Sequence, residues 1–472
     1  MAKNIFISTS IPYVNASPHI GHALEFVQAD TLARFYRLSG QDVFFLSGTD
    51  ENAQKNVASA EKEGIYPQAL VDKYSQAFYK FKPSLNISFD DFLRTTEKRH
   101  KLGAQRFWEL CRSDIYKKKY KGWYCAGCEA FVTEKDLVDG LCPEHHKKPV
   151  LIEEENYFFN LSKYQKQIEE LIENDTIKIF PEERKNEVLS FIRRGLEDFS
   201  VSRSAQRVKN WGIPVPGDPS QIIYVWFDAL LNYITALNFG TDQKLYKKYW
   251  ENGSKIHVIG KGISRFHAIY WPAMLLSAKL PLPTEEFIHG YVTVNGEKIS
   301  KSLGNVIDPF EVVKKYGTDP VRYYLLKEIN PFKDGDFSFS RFEELYNSDL
   351  ANGLGNLIQR VARLCEKNSV IIEEKEFPID IRISQTLTKF EFHLALEAIW
   401  NKITEADRLV DSRKPWELTG DEAIEILTSL GQKIREVAYN LRPFLPETSE
   451  KILQVFSGAV KTPAKPFFPR IK

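Results

Sequence analysis

The alternation of apolar and polar positions predicts a strand, a long helix and a second strand at the start of the chain. Residues 5–7 form a short apolar run of strand length, and residues 42–47 form another. Between them apolar residues recur at helical spacing as far as Gly40, and we predict that Ser17 caps this helix and that Pro18 is its first residue. Such a unit is typical of a doubly wound parallel sheet.

Later apolar runs predict that the sheet resumes and that the chain ends in helices. Runs of strand length at 224–228 and 255–259 are followed by a helix beginning near Ser264, and residues 289–296 predict a strand that ends in a turn. From about Phe342 the apolar spacing is helical. We therefore predict an α/β protein with a doubly wound, Rossmann-like sheet domain and an all-α helix bundle. Its predicted segments are 1–115 and 222–292 for the two halves of the sheet domain, 116–221 for an insertion, 293–341 for a linker with a lysine loop and 342–472 for the bundle.

Composition and charge narrow the class of protein but do not indicate a function. The 472 residues carry 64 Lys and Arg against 63 Asp and Glu, so the net charge of +1 gives no general attraction to nucleic acid or membrane. The lysine run at 117–119 is a candidate basic patch, although a solvated charge run is the preferred interpretation. No apolar run reaches the ~18 residues of a membrane helix, and the N-terminus lacks a secretory signal. We expect a cytoplasmic protein.

Two histidines at the start of the first helix form a candidate phosphate site. His19 and His22 are three residues apart and share one face of the first turn, where exposed N–H groups favour an anion. Gly21 would let a nucleotide approach the backbone. The alternative is a pair of capping or half-buried histidines, and the motif alone does not decide between the two.

A second phosphate-binding candidate lies nearly 280 residues later. Lys298 and Lys301 are three apart, and together with Ser300 and Ser302 they lie in a segment bounded by glycines. Lysines on flexible stems can close over a triphosphate. The alternative is an ordinary exposed polar loop, which the earlier histidine site makes less favourable.

Several side chains are expected near the edge of the sheet where ligands bind in open α/β folds. Asp50 follows the second strand and is a candidate for holding a cationic group, or else it caps a helix that begins near Asn52. Other candidates lie at strand ends or in first helical turns, although each is equally typical of plain core. They are Trp226, Tyr233, Ile263 and His267.

The insertion carries a cluster of metal-binding residue types. Cys125-Ala-Gly-Cys128 is followed after thirteen residues by Cys142-Pro-Glu-His145, and two such knuckles can supply a closed tetrahedral set for a structural Zn²⁺. A redox Cys-x-x-Cys pair would leave Cys142 and His145 unexplained. His146 could replace His145, and a metal-free relic is the remaining alternative. The isolated Cys111 and Cys365 are predicted core thiols.

Taken together, the two phosphate candidates resemble the signatures of class I aminoacyl-tRNA synthetases, His-Ile-Gly-His and Lys-Met-Ser-Lys-Ser. Here they read His19-Ile-Gly-His22 and Lys298-Ile-Ser-Lys-Ser302. Along nearly its whole length the chain resembles the methionyl-tRNA synthetase family. The matching segments are residues 11–19, 48–52, the zinc knuckles, 224–228, 266–272 and 289–302.

The resemblance implies a methionine pocket and an ATP site. Methionine is an apolar, flexible thioether, which suits an aromatic pocket with few polar contacts. By similarity, Asp50 holds the ammonium group and Tyr233 offers its hydroxyl to sulfur, while Gly262 stands where the family usually has Asp and puts the usual ribose contact in doubt. The implied methionine-binding set is Ile11, Tyr13, Asp50, Trp226, Tyr233, Ile263 and His267, and the implied ATP-binding set is His19, Gly21, His22, Lys298, Ser300, Lys301 and Ser302.

The implied reaction has two steps. The methionine carboxylate attacks the α-phosphate of ATP, with Mg²⁺ on the phosphates, and the methionyl group then passes to the 3′ end of tRNA. The catalytic residues would be His19, His22, Lys298 and Lys301, which neutralise charge on the phosphates.

The helix bundle is implied to read the CAU anticodon of tRNA(Met). Asn356 and Arg360 are four apart on one helical face, and Trp416 could stack on an unpaired base. Without the resemblance, Trp416 would be assigned to the bundle core and the other two to the surface. The chain ends just past the bundle, where longer members of the family continue into a dimerisation domain, so a monomer is expected.

Two alternatives are open at this point. One is a class I synthetase for another amino acid, which the aromatic residues and the zinc insertion disfavour. The other is a zinc-stabilised RNA-binding paralogue without catalysis, which would not need both histidines and both lysines. Pyrophosphate exchange with individual amino acids would decide between them.

Overall fold

The computed structural model describes residues 3–125, 127, 130–132, 137–143, 146–299 and 304–471. The chain forms two compact units. The first comprises Met1–Pro18, Gln41–Phe81 and Phe89–His289, and the second comprises His19–Gly40, Lys82–Ser88 and Gly290–Lys472. Each unit is described by itself below.

The strands are distributed along the whole chain. Their bounds are β1 (Asn4–Thr9), β2 (Asp42–Thr49), β3 (Asp91–Arg94), β4 (Ile115–Cys125), β5 (Ala130–Val132), β6 (Val150–Phe159), β7 (Lys178–Phe180), β8 (Phe199–Ser200), β9 (Ser202–Ser204), β10 (Pro214–Val215), β11 (Asp218–Ile223), β12 (Ser254–Gly260), β13 (Glu285–His289), β14 (Val292–Val294), β15 (Glu297–Lys298), β16 (Gly335–Asp336), β17 (Ile371–Ile372) and β18 (Gly458–Ala459).

The α-helices are concentrated at the start and in the last third of the chain. Their bounds are α1 (Ile20–Leu38), α2 (Gln54–Glu63), α3 (Pro67–Tyr79), α4 (Phe81–Ser84), α5 (Lys98–Leu110), α6 (Gln165–Glu173), α7 (Glu182–Arg193), α8 (Val225–Ala229), α9 (Asn232–Thr235), α10 (Trp271–Ala278), α11 (Pro309–Tyr316), α12 (Thr318–Lys327), α13 (Phe339–Leu345), α14 (Asn356–Lys367), α15 (Ile381–Leu387), α16 (Phe392–Arg413), α17 (Gly420–Leu441) and α18 (Pro446–Val455). Wider, π-helical turns cover Tyr246–Glu251, Phe266–Tyr270 and Tyr346–Gly355.

A six-stranded parallel sheet organises the first unit, which confirms the predicted doubly wound fold. Its order is β3-β2-β1-β12-β13-β7, and every pairing is parallel. Residues 5–7 of β1 are at most 3% exposed, as expected for a strand covered on both faces. The chain passes outward from β1 to β2 and β3 on one side, and the strands on the other side of β1 are β12, β13 and β7. The switch point therefore lies between the ends of β1 and β12, where ligands bind in such sheets.

The predicted strand at 224–228 is wrong, because these residues form the short helix α8 instead. The preceding strand, β11, pairs with β9 and β10 in a separate antiparallel sheet, so neither β11 nor the segment 224–228 belongs to the parallel sheet. A short apolar run of this kind is compatible with either a buried strand or a buried helix, since periodicity does not separate them over so few residues.

The region predicted as an insertion contains an unpredicted strand of the main sheet. Strand β7 pairs in parallel with β13 and forms the sheet edge. The rest is largely antiparallel, with β4 and β6 as its long central pair. The lysine run lies on β4, where Lys117 is 3.0 Å from Asp218 and 3.7 Å from Glu155. Carboxylates thus neutralise part of the candidate basic patch.

Two predicted helix starts are displaced. Helix α1 begins at Ile20 with His19 as its N-cap, so Ser17 is not the cap and Pro18 is not the first helical residue. Helix α2 begins at Gln54 after Ala53, with no side-chain cap, so the alternative role of Asp50 as a cap is also wrong. The predicted end of α1 is confirmed, since its C-cap is Ser39.

The second unit contains the predicted helix bundle, α13 to α18, together with α1. Arg322 of α12 lies at the centre of this unit and is fully buried. Its guanidinium is 2.7 Å from the Asp30 carboxylate of α1 and donates hydrogen bonds to the carbonyls of Leu85, Pro443 and Phe444. Among the described residues, no helix has the length and apolarity needed to cross a membrane.

Candidate active site

The loops that follow β1 and β2 bring Tyr13 and Asp50 together at the switch point. The two residues form a parallel bridge, and the backbone N–H of Asp50 donates to the Pro12 carbonyl at 2.9 Å. Asp50 is 2% exposed. Ile11 lies against Gly48, where an added Cβ would come 2.1 Å from the Leu93 carbonyl oxygen, so only glycine fits there. The predicted methionine-binding residues of these two loops therefore form one rigid corner.

The residue after Asp50 is fixed by a buried ion pair. The Glu51 carboxylate is fully buried and accepts hydrogen bonds from Arg94 Nε at 2.6 Å and from Thr49 Oγ1 at 3.0 Å. Its backbone N–H donates to Thr95 Oγ1 at 2.9 Å. Because charge-assisted bonds of this kind are short and strong, they hold the loop that presents Asp50 in one conformation.

A second buried network fixes the helix that carries Trp226. Asp228, in α8, is bonded through one carboxylate oxygen to His100 Nε2 at 2.5 Å and through the other to Asn52 Nδ2 at 2.7 Å. His100 Nδ1 is in turn 2.8 Å from Thr235 Oγ1. The network joins the loop after β2, helix α5 and the segment of α8 and α9, so it positions Trp226 relative to Asp50.

Aromatic rings line the same region. Trp226 stacks face to face on Phe266, with ring centroids 3.8 Å apart and planes within 3°, and its edge meets Tyr13 at 6.2 Å. Phe266 was not among the predicted site residues. The signal for it was the segment 266–272, in which it precedes the predicted His267.

Tyr233 and His267 are joined by a hydrogen bond whose direction can be assigned. His267 Nδ1 is 3.0 Å from the Ile263 carbonyl oxygen, which can only accept, so Nδ1 carries the hydrogen. On a neutral ring Nε2 is then an acceptor, and the Tyr233 hydroxyl, 2.8 Å away, donates to it. Both side chains are at most 2% exposed. The structure thus brings Ile263, His267, Tyr233 and Trp226 together, as the sequence predicted.

The histidine motif forms the cap of α1 in the second unit. The backbone N–H of Gly21 donates to His19 Nδ1, and the backbone N–H of His19 donates to His22 Nδ1, both at 3.1 Å. The rings stack with centroids 3.8 Å apart. An added Cβ on Gly21 would lie 3.0 Å from the His19 ring, so glycine gives the ring its room. The capping alternative is therefore correct for the geometry, and it leaves the phosphate role open.

Capping also sets the protonation of both rings. Burial lowers the pKa of His19 to about 4 and keeps the pKa of His22 well below the usual range of a histidine. Since both Nδ1 atoms accept backbone hydrogens, each neutral ring carries its own hydrogen on Nε2. The helix start therefore presents two imidazole N–H groups beside its exposed backbone N–H groups, an arrangement that favours an anion.

Several predicted residues lie outside the described part of the chain. They are Ser300, Lys301 and Ser302 of the lysine loop, and Cys128 and His145 of the predicted zinc set; the side chain of Lys298 is likewise not described. Of the remaining zinc candidates, Cys125 and Cys142 are buried in one small apolar cluster with Val132. His146 is exposed.

Two of the three predicted anticodon residues, Arg360 and Trp416, meet on the bundle. Arg360, on α14, lies with its guanidinium 5.1 Å from the Trp416 ring centre and 2.5 Å from the Asp411 carboxylate. Trp416 is 43% exposed, so the alternative that it belongs to the core is wrong. Asn356 is exposed on the same helix. The structure thus places an arginine and a tryptophan side by side on the surface of this unit.

Comparison with known proteins gives consistent matches. A family model described as tRNA synthetases class I (M) matches residues 5–149 and 144–362. A methionine--tRNA ligase of Brucella suis is 42% identical over 479 residues, covering 96% of this chain and 92% of its own length. One from Clostridium acetobutylicum is 44% identical over 475 residues, covering 95% of this chain and 73% of its own length.

Solved structures give the same result. The methionyl-tRNA synthetase of Mycobacterium tuberculosis in complex with methionyl-adenylate superposes with a TM-score of 0.92 at 36% identity, covering 99% of this chain and 100% of that one. Its apo form superposes with a TM-score of 0.85 at 34% identity, covering 100% of this chain and 99% of that one.

Proposed function

This chain belongs to the methionyl-tRNA synthetase family of class I ligases, and from that premise we propose how its own residues carry out the reaction. The reaction is the ATP-dependent ligation of L-methionine to its tRNA through a methionyl-adenylate. The observation that carries the residue assignment is the group of aromatic and imidazole rings formed by Trp226, Tyr233 and His267. Trp226 also contacts Tyr13, the bridge partner of Asp50.

The methionine side chain fits this group of rings by its chemistry. A thioether is apolar and polarizable, and it packs well against aromatic rings. The Asp50 carboxylate would hold the ammonium group, with Ile11, Tyr13 and Ile263 completing the pocket. Because the Tyr233 hydroxyl hydrogen is directed at His267, any contact of this hydroxyl with the sulfur would be made by its oxygen and not by that hydrogen.

Adenylation needs positioning and charge neutralisation rather than an activated nucleophile. The substrate carboxylate already carries the attacking electron pair, and it displaces pyrophosphate from the α-phosphate of ATP. The Nε2–H groups of His19 and His22 would donate to phosphate oxygens as charge develops, with Gly21 allowing close approach. Lys298 and Lys301, with Ser300 and Ser302, would neutralise the departing pyrophosphate together with Mg²⁺.

Methionine-dependent exchange of pyrophosphate into ATP tests the proposal most directly. Folded protein should exchange with methionine and not with isoleucine, leucine or valine, and a lack of exchange would overturn the proposed function.

Within that assay, Lys301→Ala should slow adenylate formation about 10²-fold in a single turnover while changing methionine binding much less. Unchanged adenylation would refute the clamp role. Lys315→Ala is the matched control, since that lysine pairs with Glu343 on an exposed surface of the second unit.

We also propose that the insertion holds one structural Zn²⁺. Cys125 and Cys142 fit because they are buried together, and the remaining ligands would be Cys128 and either His145 or His146. Bound zinc would cross-link the two knuckles. Elemental analysis should find about one zinc per chain, and Cys125→Ser should lose it, whereas Cys111→Ser, which changes a buried thiol elsewhere, should keep it.

The surface pair of Arg360 and Trp416 supports a role in reading the CAU anticodon. A guanidinium and an indole side by side suit unstacked bases. Arg360→Ala should raise the KM for tRNA(Met) and leave pyrophosphate exchange unchanged. Arg363→Ala, on the same helix and exposed, is the control, and equal effects of the two variants would refute the assignment.

The compartment and the oligomeric state of the protein complete the proposal. We place the protein in the cytoplasm, where ATP and tRNA are found. We further propose a monomer, which sedimentation velocity at micromolar concentration tests.

A further inference from the structure

Three polar side chains lie in register across the middle of the parallel sheet. Ser8 of β1 pairs with His257 of β12, and His257 pairs with Glu286 of β13. Residues in register on parallel strands project to the same face, and neighbouring strands are about 4.8 Å apart. All three side chains are fully buried. The sheet therefore contains a continuous polar row in an apolar interior, and neither the sequence motifs nor the adenylation chemistry uses it.

The hydrogen bonds of this row are incomplete. Ser8 Oγ is 2.7 Å from His257 Nδ1. Within the described part of the chain, His257 Nε2 and both carboxyl oxygens of Glu286 are buried without a hydrogen-bond partner. A buried polar group without a partner is costly, and His257 and Glu286 are the registered neighbours that can satisfy each other.

Both titratable members of the row are neutral around pH 7. Burial, with no compensating cation, raises the pKa of Glu286 to about 8. Burial, together with His267 and Lys255, holds the pKa of His257 well below its usual range. One arrangement would satisfy both ring nitrogens of His257: the Glu286 carboxylic acid would donate to Nε2, and Nδ1–H would donate to Ser8 Oγ.

The row touches the proposed methionine pocket through Tyr233. The His257 and Tyr233 rings have centroids 4.1 Å apart, and Tyr233 donates its hydroxyl hydrogen to His267. The next nearest aromatic rings are Trp250, with its ring centre at 6.0 Å, and Phe6, at 6.3 Å. Tyr233 is therefore the aromatic residue that a change in the orientation or charge of His257 would displace first.

We propose that Glu286 turns to donate its carboxylic hydrogen to His257 Nε2, a bond that the structure does not contain, and so completes with Ser8 a neutral hydrogen-bonded relay that positions Tyr233. His257 and Glu286 are thereby positioning residues for methionine binding. The inference rests on the proposed function of the pocket and extends it to residues behind the pocket. Loss of the carboxylic proton would remove this donor to His257 Nε2, and the ring beside Tyr233 would then be held through Nδ1 by Ser8 alone among the described residues.

The titratable and charged groups around the relay are few. Lys255, two residues before His257 on β12, donates from Nζ to the Trp250 carbonyl at 3.0 Å, and burial lowers its pKa to about 8. His267 and Tyr233 face the relay from the pocket side, with the His267 ring centre 6.4 Å from that of His257. On β7, the residue in register with Glu286 is Ile179, which carries no charge.

The test compares Glu286→Gln with Glu286→Leu, measuring the KM for methionine, the KM for ATP and kcat in pyrophosphate exchange from pH 6.5 to 9. Glutamine keeps a neutral donor, whereas leucine fills the space without one. At pH 7 the leucine variant should raise the KM for methionine about three- to tenfold, with the KM for ATP unchanged, and the glutamine variant should leave it near wild type. The wild-type KM for methionine should rise above pH 8, and the glutamine variant should lose this rise.

The control is Glu285→Gln, which lies on the same strand with its side chain on the opposite face. It should keep the alkaline rise in KM of the wild type. A leucine variant with unchanged KM, or a glutamine variant with the same alkaline rise as wild type, would overturn the relay. If wild-type protein shows no methionine-dependent exchange at all, the proposed function fails instead, so the two failures are distinguishable.

Discussion

Buried carboxyl side chains of the first unit differ in whether their oxygens accept hydrogen bonds. Glu51 and Asp228 are fully buried, and both oxygens of each carboxylate accept hydrogen bonds, from Arg94, Thr49, Thr96, His100 and Asn52. Glu286 is equally buried, and neither of its oxygens has a partner among the described residues. The three carboxyl groups belong to one compact unit, so burial alone does not explain the difference between them.

The difference lies in what each group contributes. Saturated carboxylates act as fixed anchors, and around Glu51 and Asp228 they hold the loop of Asp50 and the helix of Trp226. A carboxylic acid without a cation stays protonated and can change its charge within an ordinary pH range. The first arrangement holds neighbouring segments in place, and the second gives a group, Glu286, whose raised pKa lets its charge change near pH 8.

The largest effect is expected when a saturated anchor is removed. Asp228→Ala leaves His100 and Asn52 buried without their shared acceptor and should lower the free energy of unfolding by about 3 to 5 kcal/mol. Chemical denaturation measures the change. Asp242→Ala, at an exposed position, should stay within about 0.5 kcal/mol of wild type. A loss below about 1 kcal/mol for Asp228→Ala would contradict its role as an anchor.

The next effect is a gain of stability that depends on pH. A raised carboxyl pKa means that the folded state binds a proton more tightly than the unfolded state, so the stability from Glu286 is complete below about pH 4.5 and is lost as pH rises to about 8. Glu286→Gln removes this dependence. The variant should be more stable than wild type at pH 8 by about 2 to 4 kcal/mol, with a smaller difference at pH 5.

Paired denaturation curves at the two pH values measure this gain. An equal difference at both pH values would show that Glu286 titrates normally, which would contradict the raised pKa that burial gives it.

A smaller effect is expected at the junction of the relay and the pocket. Tyr233→Phe keeps the ring that packs on His257 and removes the hydroxyl that donates to His267. The KM for methionine should rise about tenfold, since one buried acceptor is left unpaired, while the KM for ATP should not change. Tyr246→Phe, at another buried tyrosine of the same unit, is the control. A normal KM for methionine would show that the hydroxyl plays no part in the pocket.

The smallest effect is an absence of titration at the capping histidines. Because the pKa of His19 is lowered to about 4, its ring should stay neutral from pH 8 down to about pH 5. Nuclear magnetic resonance of the imidazole Cε1–H groups, assigned by comparison with His19→Gln, would show a flat line over this range. A midpoint near pH 6.5 would contradict the buried, capping geometry.

Sequence patterns predicted the strands and helix ends that have a clear local signal. Strands β1 and β2 were recoverable because continuous apolar runs mark a sheet covered on both faces, and the end of α1 was marked by Ser39 and Gly40. The segment 224–228 was misread because a short apolar run suits a helix as well as a strand. Strand β7 was missed because its three residues carry no alternation of their own and are fixed by pairing with β13.

The candidate site shows the same limit. The residue types at Trp226, Tyr233 and His267 were predicted, and they do meet, but Phe266 was not predicted, since its role depends on a stacking geometry that one sequence does not display. Ser17 was chosen as a cap because serine commonly caps helices, whereas here an imidazole does so. The row of Ser8, His257 and Glu286 could not be predicted, because only strand register brings residues so distant in sequence together.

The guanidinium of Arg322 has a consequence for genetics. It binds the Asp30 carboxylate of the helix that begins at the histidine motif, and the carbonyls of Pro443 and Phe444 between the last two bundle helices. A lesion at Arg322, or in the turn it holds, loosens both attachments at once. Under the proposed role of the histidine motif in ATP binding, such loss-of-function alleles would be grouped with defects in adenylation although they lie some 300 residues from the motif in sequence. Suppressors of these alleles should then arise around Asp30.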